Sequence, residues 1–153
     1  MGKFVKQFFA FILLFTIFGC ATIVVPNYIQ DKNPYKRKFY ASFEKTFEAT
    51  LAAVQEAGWV VEQQTDPSVF ERVESGEFGD QQTLLITGIR KMGLFVGTRY
   101  AKLNIYIRTG SGNVSEVEIR YLSVNSTLVK NFYNYKHDKS AERLFLYIES
   151  ALE

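Results

Sequence analysis

Two residue types that often do chemistry occur once each in this chain of 153 residues, as Cys20 and His137. Disulfide frameworks and cysteine-based zinc sites need several cysteines, and the usual catalytic metal centres need several histidines, so the sequence excludes these classes. His137 stands beside Asp138 in a polar stretch. A solvated histidine near a helix end is therefore favoured over a catalytic base.

Other residues with catalytic potential lack the required spacing. Glu71, Glu74 and Glu77 could suggest a cation site or a glycosidase pair, but strand spacing distributes them over both faces and a loop, which favours solubility alone. Residues 90–98 contain two glycines without the GK[ST] of a P-loop. No nucleophile elbow, dinucleotide fingerprint or metal-ligand spacing is present. The sequence predicts no catalytic residue, no metal and no cofactor.

The first twenty residues have the build of an export signal. Lys3 and Lys6 precede an uncharged apolar run over residues 8–18, as in the n-region and h-region of a secretory signal peptide. The run is shorter than the roughly 20 residues of a membrane span. It ends in Ile17-Phe18-Gly19-Cys20, with an aliphatic residue three positions before the cysteine and a small residue directly before it.

This ending resembles the lipobox of bacterial envelope lipoproteins. The resemblance implies that residues 1–19 are removed and that Cys20 becomes the acylated N-terminus. Each buried CH₂ contributes about 0.8 kcal/mol, so several acyl chains make a firm anchor. Ala21 is not the aspartate that resembling proteins use for inner-membrane retention, which implies the outer membrane, facing the periplasm. The alternative is an ordinary signal peptide followed by a chance cysteine.

Removal of the signal peptide also changes the charge. Of the 18 basic residues, Lys3 and Lys6 belong to the signal, and the remaining basic residues equal the 16 acidic ones in number. The mature chain is then formally neutral. This removes the electrostatic argument for nucleic-acid binding.

The remaining chain is predicted to form an acylated Cys20 with a tether over residues 20–35 and a single α+β domain over residues 36–153. The tether carries Pro26 and Pro34 and has no sustained periodicity, although Val24 and Val25 could begin a short strand. If flexible, it would span about 20–25 Å. It would then keep the domain close to the membrane surface.

Two amphipathic helices are predicted, over residues 42–57 and 139–152. Phe43, Phe47, Leu51 and Val54 form the apolar stripe of the first, with Ser42 as N-cap and Gly58 after its end. Asp138 or Ser140 is the expected cap of the second. Strands are predicted over residues 59–63, 69–74, 83–90, 100–108 and 116–121, the first two as a hairpin. These elements predict an antiparallel sheet of about five or six strands, with both helices packed on its apolar face and the other face wet.

The segment KRKFYASFEKTFEATLAAVQEAGWVVEQQ begins with a short strand, followed by a helix that ends at glycine and a second strand. After the lipobox and short tether, this order is similar to that of small envelope lipoproteins with a helix-grip domain of the NlpB/DapX (BamC) type. The resemblance covers residues 36–75 in pattern and the rest in element order. It implies an assembly or scaffold role.

Two surface features are candidates for function. Met92, Leu94, Phe95 and Val96 occupy a loop where polar residues are expected, and they are candidates for contact with a partner or the membrane. The alternative is that they cap the core or lengthen the flanking strands. Phe132, Tyr133 and Tyr135 combine aromatic rings with polar groups, as sugar- or protein-binding surfaces do, and are the candidate ligand surface. Packing over the sheet edge is the alternative there.

The sequence therefore predicts a non-enzymatic, lipid-anchored envelope lipoprotein that binds a protein partner. The alternative is a module that binds an envelope glycan or lipid in a groove between helix and sheet. An enzyme is disfavoured because no nucleophile, base and orienting group can be named together.

Overall fold

The computed structural model of the protein describes residues 22–71, 81–127 and 130–153. These residues form seven strands and two helices. In chain order the elements are β1 (Tyr35–Phe39), α1 (Phe43–Glu56), β2 (Val61–Thr65), a 3-10 turn (Pro67–Val69), β3 (Gln82–Thr87), β4 (Arg90–Leu94), β5 (Gly97–Thr109), β6 (Ser115–Ser126), β7 (Asn131–Asn134) and α2 (Asp138–Leu152). Within the described ranges, no helix is long and apolar enough to cross a membrane.

The sheet is built around the long antiparallel pair β5–β6, in which Thr98 pairs with Ser126 and Thr109 with Ser115. One end of this pair is flanked by β3, which pairs with β5, and by β1, which pairs with β6. The other end is flanked by β4 on β5 and by β7 on β6. The short strands β4 and β7 therefore extend the sheet beyond β1, β2 and β3. This four-stranded part, β4-β5-β6-β7, is called the sheet extension below.

Both helices cover one face of the sheet, and the predicted α+β fold is confirmed. Their apolar sides meet Leu103, Ile105 and Ile107 of β5 and Val117 and Ile119 of β6 in one buried cluster. The open antiparallel sheet has seven strands among the described residues rather than five or six. Its additional strands come from residues 90–94, predicted as the end of one strand and part of a loop, and from the unassigned residues 131–134.

The first helix is rotated slightly from its predicted orientation. Phe47 and Leu51 were expected to be largely buried but are half-buried at the margin of the core. The residues that face inward are small: Thr46, Ala49, Thr50, Ala53 and Val54. Small side chains let α1 lie close to α2 and the sheet. On α2, Phe145 and Ile148 are buried.

The helix ends follow local capping chemistry. The Ser42 side chain accepts a hydrogen bond from the Lys45 amide, and Gly58 follows α1 with a φ of +75°, both as predicted. The cap of α2 is His137 rather than Asp138 or Ser140. Its Nδ1 accepts a hydrogen bond from the Ser140 amide at 3.1 Å.

The predicted hairpin between residues 59–63 and 69–74 is wrong. Pro67 and Asp66 begin a 3-10 turn, with the Asp66 carboxylate accepting from the Ser68 amide, and the chain leaves the sheet there. The partner of β2 is β3, with Thr65 opposite Leu84. Glu74 and Glu77, two of the three carboxylates considered as a cation site, lie outside the described residues.

Candidate functional site

The second face of the sheet, which sequence patterning predicts to be wet, is buried. The residues that cover it are 22–33, which we call the N-terminal segment, together with Phe70 and Glu71. Ile29 is fully buried against Leu122 and Val124. Ile23 and Val25 also pack on this small apolar cluster. Residues 20–35 were predicted as a tether, and the described part of them instead lies against the sheet.

Polar side chains on this face hold the backbone of the N-terminal segment. The Asn104 amide oxygen accepts from the Ile29 N–H at 2.6 Å, and its Nδ2 donates to the Asn27 carbonyl at 3.1 Å. The Lys102 Nζ donates to the Asn27 side-chain oxygen at 2.8 Å. Burial lowers the pKa of Lys102. Because these polar side chains have hydrogen-bond partners, this polar face of the sheet can be buried without leaving unsatisfied donors or acceptors.

A chain of charges continues along the same face. The buried Glu118 carboxylate lies 3.1 Å from Arg108 on β5, 2.7 Å from Arg120 on its own strand and 3.3 Å from the Lys36 Nζ on β1. On its other side, Arg120 lies 2.7 Å from Glu71. Burial opposes ionisation of Glu71, but hydrogen bonds from Arg120 and Tyr28 outweigh it, so the pKa of Glu71 is lowered.

Two tyrosines complete this network. The buried Tyr106 donates from its hydroxyl to the Tyr28 hydroxyl at 2.8 Å, and Tyr28 donates in turn to Glu71. The Tyr28 ring stacks on Phe70 with centroids 4.9 Å apart. Burial, together with the bond to Tyr28, raises the pKa of Tyr106 well above its ordinary value. These side chains form one hydrogen-bonded network of Tyr28, Glu71, Tyr106, Glu118 and Arg120, which we call the clasp.

The first described residues of the N-terminal segment lie beside β7. The Asn131 Nδ2 on β7 lies 3.5 Å from the Thr22 carbonyl, and the Tyr133 hydroxyl lies 3.5 Å from the Val24 carbonyl. Cys20 lies outside the described residues, but it is only two residues before Thr22 in the sequence. Backbone geometry therefore limits the two Cα atoms to about 7 Å. The described chain therefore begins beside β7, at the sheet extension.

One face of the sheet extension is not covered by either helix. The helices begin and end beside it: Arg90 donates to the Ala57 carbonyl just after α1, and the His137 ring packs 5.1 Å from Tyr121 just before α2. Further along the sheet, past these two contacts, four residues that pair from strand to strand form a row across it. From β4 to β7 they are Met92, Arg99, Asn125 and Phe132. Residues opposite one another in an antiparallel sheet share a face. We call this row, together with Leu94, the bare face.

Phe95 and Val96 form the two-residue turn between β4 and β5, which we call the tip. Phe95 is fully exposed, and Leu94 and Val96 are exposed as well. The exposure predicted for Leu94 and Phe95 is confirmed, and so is the alternative that part of the loop lengthens the strands. Gly97 permits this turn, since its φ is +112° and a Cβ there would lie 2.0 Å from the Ser126 carbonyl oxygen.

The candidate ligand surface is divided between two faces of β7. Phe132 lies opposite Asn125 on the bare face, whereas Tyr133 lies opposite Val124 on the face of the N-terminal segment. Tyr135 follows the strand, and all three rings are substantially exposed. Phe132 and Met92 therefore lie in one row, although the sequence analysis assigned them to two separate surface features. Strand alternation could have indicated this once β7 was recognised.

The remaining chemical candidates have structural partners. His137 caps α2 and its own amide is bonded to the Tyr35 hydroxyl, and Glu71 belongs to the clasp. In the part of the chain that the structure describes, no three His, Cys, Asp or Glu side chains are grouped as for a metal ion. In comparisons with known proteins, no family model and no curated protein matches this chain.

Proposed function

We propose that this chain is a non-enzymatic lipoprotein of the bacterial envelope, anchored through acylated Cys20 to the outer membrane and facing the periplasm, where it binds a protein partner. The observation that supports this best is the docking of the N-terminal segment. A cysteine within about 7 Å of Thr22 would hold the domain directly at the membrane surface, with the sheet extension nearest the lipid.

The partner surface in this proposal is the free edge of β7. Among the described residues, β7 pairs with β6 on one side only. Phe132 and Tyr133 project from its two faces, and Tyr135 follows. An open strand edge flanked by aromatic side chains suits a partner that adds a strand, because backbone hydrogen bonds provide affinity and the rings provide specificity.

The alternative is a glycan- or lipid-binding module. A specific observation favours it: an open groove of about 590 Å³ lies between β1 and α2, bordered by Tyr35, Asp138, Phe145 and Leu146. The Tyr35 hydroxyl donates to Asp138 there, and burial followed by this hydrogen bond raises the pKa of Tyr35 to about 12. Lys139, Glu142 and Arg143 also border the groove, which therefore combines apolar contact area with charged groups that could orient a ligand.

The test uses the protein extracted from its native membranes. Mass spectrometry of the N-terminal peptide should find the acyl mass on Cys20, and an unmodified Cys20 would contradict the anchor. A photoreactive phenylalanine at position 132 should then cross-link one defined protein. The same probe at Leu146, which is also exposed and borders the groove, is the matched control.

The pattern of cross-linking separates the candidates. A discrete protein adduct at position 132 that is absent at position 146 supports partner binding through the β7 edge. No adduct at 132, together with a glycan or lipid adduct at 146, would favour the groove and contradict the proposed partner surface.

A further inference from the structure

We infer that the tip and the β4 side of the bare face, Met92 and Leu94, form a membrane seat, which rests on the anionic phospholipid surface to which Cys20 is anchored. This inference deepens the proposed function and rests on it, because the anchor determines which surface the tip meets. The occupant is a lipid bilayer rather than a second protein.

The first argument is the composition of the tip. Phe95 is fully exposed to solvent, and Val96 is exposed as well. Met92 and Leu94 add apolar area on the adjoining bare face. A two-residue turn normally carries polar side chains. A short apolar turn carried on a paired hairpin is suited to shallow insertion between lipid headgroups.

The second argument is charge. The sequence of residues 90–101 and 121–137 contains no aspartate or glutamate. It contains Arg90, Lys91, Arg99 and Lys130, as well as Lys136, which is paired with Asp31. The Lys130 Nζ lies 5.4 Å from the centre of the Phe132 ring, and Lys91 lies 5.9 Å from that of Tyr100. Cations around apolar side chains match an anionic headgroup layer, each strengthening binding by about fivefold.

The third argument is where the chain leaves the described structure. Thr22 lies beside Asn131. Asn131 pairs across the sheet with Ser126, Thr98 and Gly93, and only the Leu94–Gly97 pair separates this row from the tip. Thr22, where the described chain begins, and the tip are thus at the same end of the sheet. The opposite end, at Ser115 and Tyr40, is about 35 Å away along β6 at about 3.3 Å per residue.

The experiment measures fluorescence quenching by lipids brominated in their acyl chains. The full acylated protein carrying Phe95→Trp is reconstituted in vesicles of phosphatidylglycerol and phosphatidylethanolamine. The control is Tyr40→Trp, since Tyr40 is equally open to solvent but lies at the far end of the sheet. The wild-type protein, whose one tryptophan is the buried Trp59, provides the background.

We expect the Phe95→Trp variant to be quenched at least about twofold more strongly than the Tyr40→Trp variant. Lys91→Gln combined with Lys130→Gln should reduce this quenching, whereas Lys38→Gln combined with Lys45→Gln, which removes two exposed cations near the far end, should not. Equal quenching at positions 95 and 40 would overturn the membrane seat. It would also be overturned if the tryptophan at position 95 were shielded from solvent only when a protein is added.

The two proposals can fail separately. The acyl mass on Cys20 is measured on the same preparation. Acylated protein without quenching at position 95 retains the anchor and refutes the seat. Quenching at position 95 in protein without acyl mass refutes the anchor and shows that the tip meets lipid by itself.

Discussion

The Arg120 guanidinium lies 2.7 Å from the Glu71 carboxylate and, through its Nε, 2.7 Å from Glu118. These contacts join β6 to the segment that follows the 3-10 turn, over a face of the sheet that strand patterning alone would leave in water. Tyr28 of the N-terminal segment bonds to the same Glu71. One ion pair therefore links three separate parts of the chain, and its strength decides how firmly the chain leading to Cys20 is held.

The first prediction concerns this pair. Glu71→Gln should lower the free energy of unfolding by about 1.5–3 kcal/mol, the range for hydrogen bonds to charged groups, because Arg120 and Tyr28 lose a charged acceptor. Glu48→Gln, which changes an exposed carboxylate on α1, should leave stability within about 0.5 kcal/mol of wild type. Urea unfolding of the three proteins measures both. Equal midpoints would mean that the pair contributes nothing to holding the N-terminal segment.

The second prediction follows from the lowered pKa of Glu71. A carboxylate whose pKa is lower in the folded than in the unfolded state stabilises the fold above the ordinary glutamate value of about 4.3, and this contribution is lost as the pH falls through the lowered pKa. The stability difference between wild type and Glu71→Gln should therefore be constant near neutral pH and shrink below about pH 4. Unfolding curves collected across this range measure it. A difference that stays unchanged in acid would contradict the assignment.

Much of the helix-covered half could be predicted from the sequence. The alternation of Leu103, Ile105 and Ile107 gives the inward face of β5, and the 3.6-residue period gives both helices. Local periodicity determines which elements form and which side is apolar. It determines helix rotation less well, because α1 turns its small residues, such as Ala49 and Ala53, towards the core to approach α2.

The second face could not be predicted from the same patterning. Lys102, Asn104 and Arg120 alternate outward as solvated residues do, and only long-range contacts with residues 27–29 and with Glu71 reveal that they are buried. Proline and asparagine in residues 22–33 are typical of a tether, since an extended segment that bonds to side chains has no periodicity of its own. The bare face was missed for a related reason: it depends on the register that brings Met92 and Phe132 into one row.

The third prediction tests the helix-covered core with two neighbouring residues. Phe145 is buried against Phe39, with the Arg37 guanidinium over its ring, whereas Leu146 on the same turn of α2 is exposed. Phe145→Ala should cost about 3–5 kcal/mol. Leu146→Ala should change stability by less than about 0.5 kcal/mol. Thermal or urea unfolding distinguishes them, and similar losses for both would contradict this orientation of α2.

The fourth prediction concerns the turn that carries the tip. Gly97→Ala should destabilise the protein by more than about 1 kcal/mol, because a Cβ at this positive φ would collide with the Ser126 carbonyl. Gly93→Ala is the matched control: it lies four residues earlier in the same hairpin, and a Cβ there meets nothing within 4 Å. Its effect should be small. Melting temperatures of the two variants measure the difference, and a Gly97→Ala protein as stable as the Gly93→Ala protein would refute the strained turn.

The last prediction asks whether the N-terminal segment belongs to the folded domain. Ile29 is fully buried between the segment and β6, so Ile29→Ala should lower the free energy of unfolding by about 2–5 kcal/mol through lost burial and the cavity left behind. Val24→Ala removes an exposed side chain of the same segment and should change stability by less than about 0.5 kcal/mol. A flexible tether would make both substitutions silent. Because Ile29 packs the N-terminal segment against the sheet, Ile29→Ala should in addition make the chain near Thr22 more susceptible to limited proteolysis, whereas Val24→Ala should not.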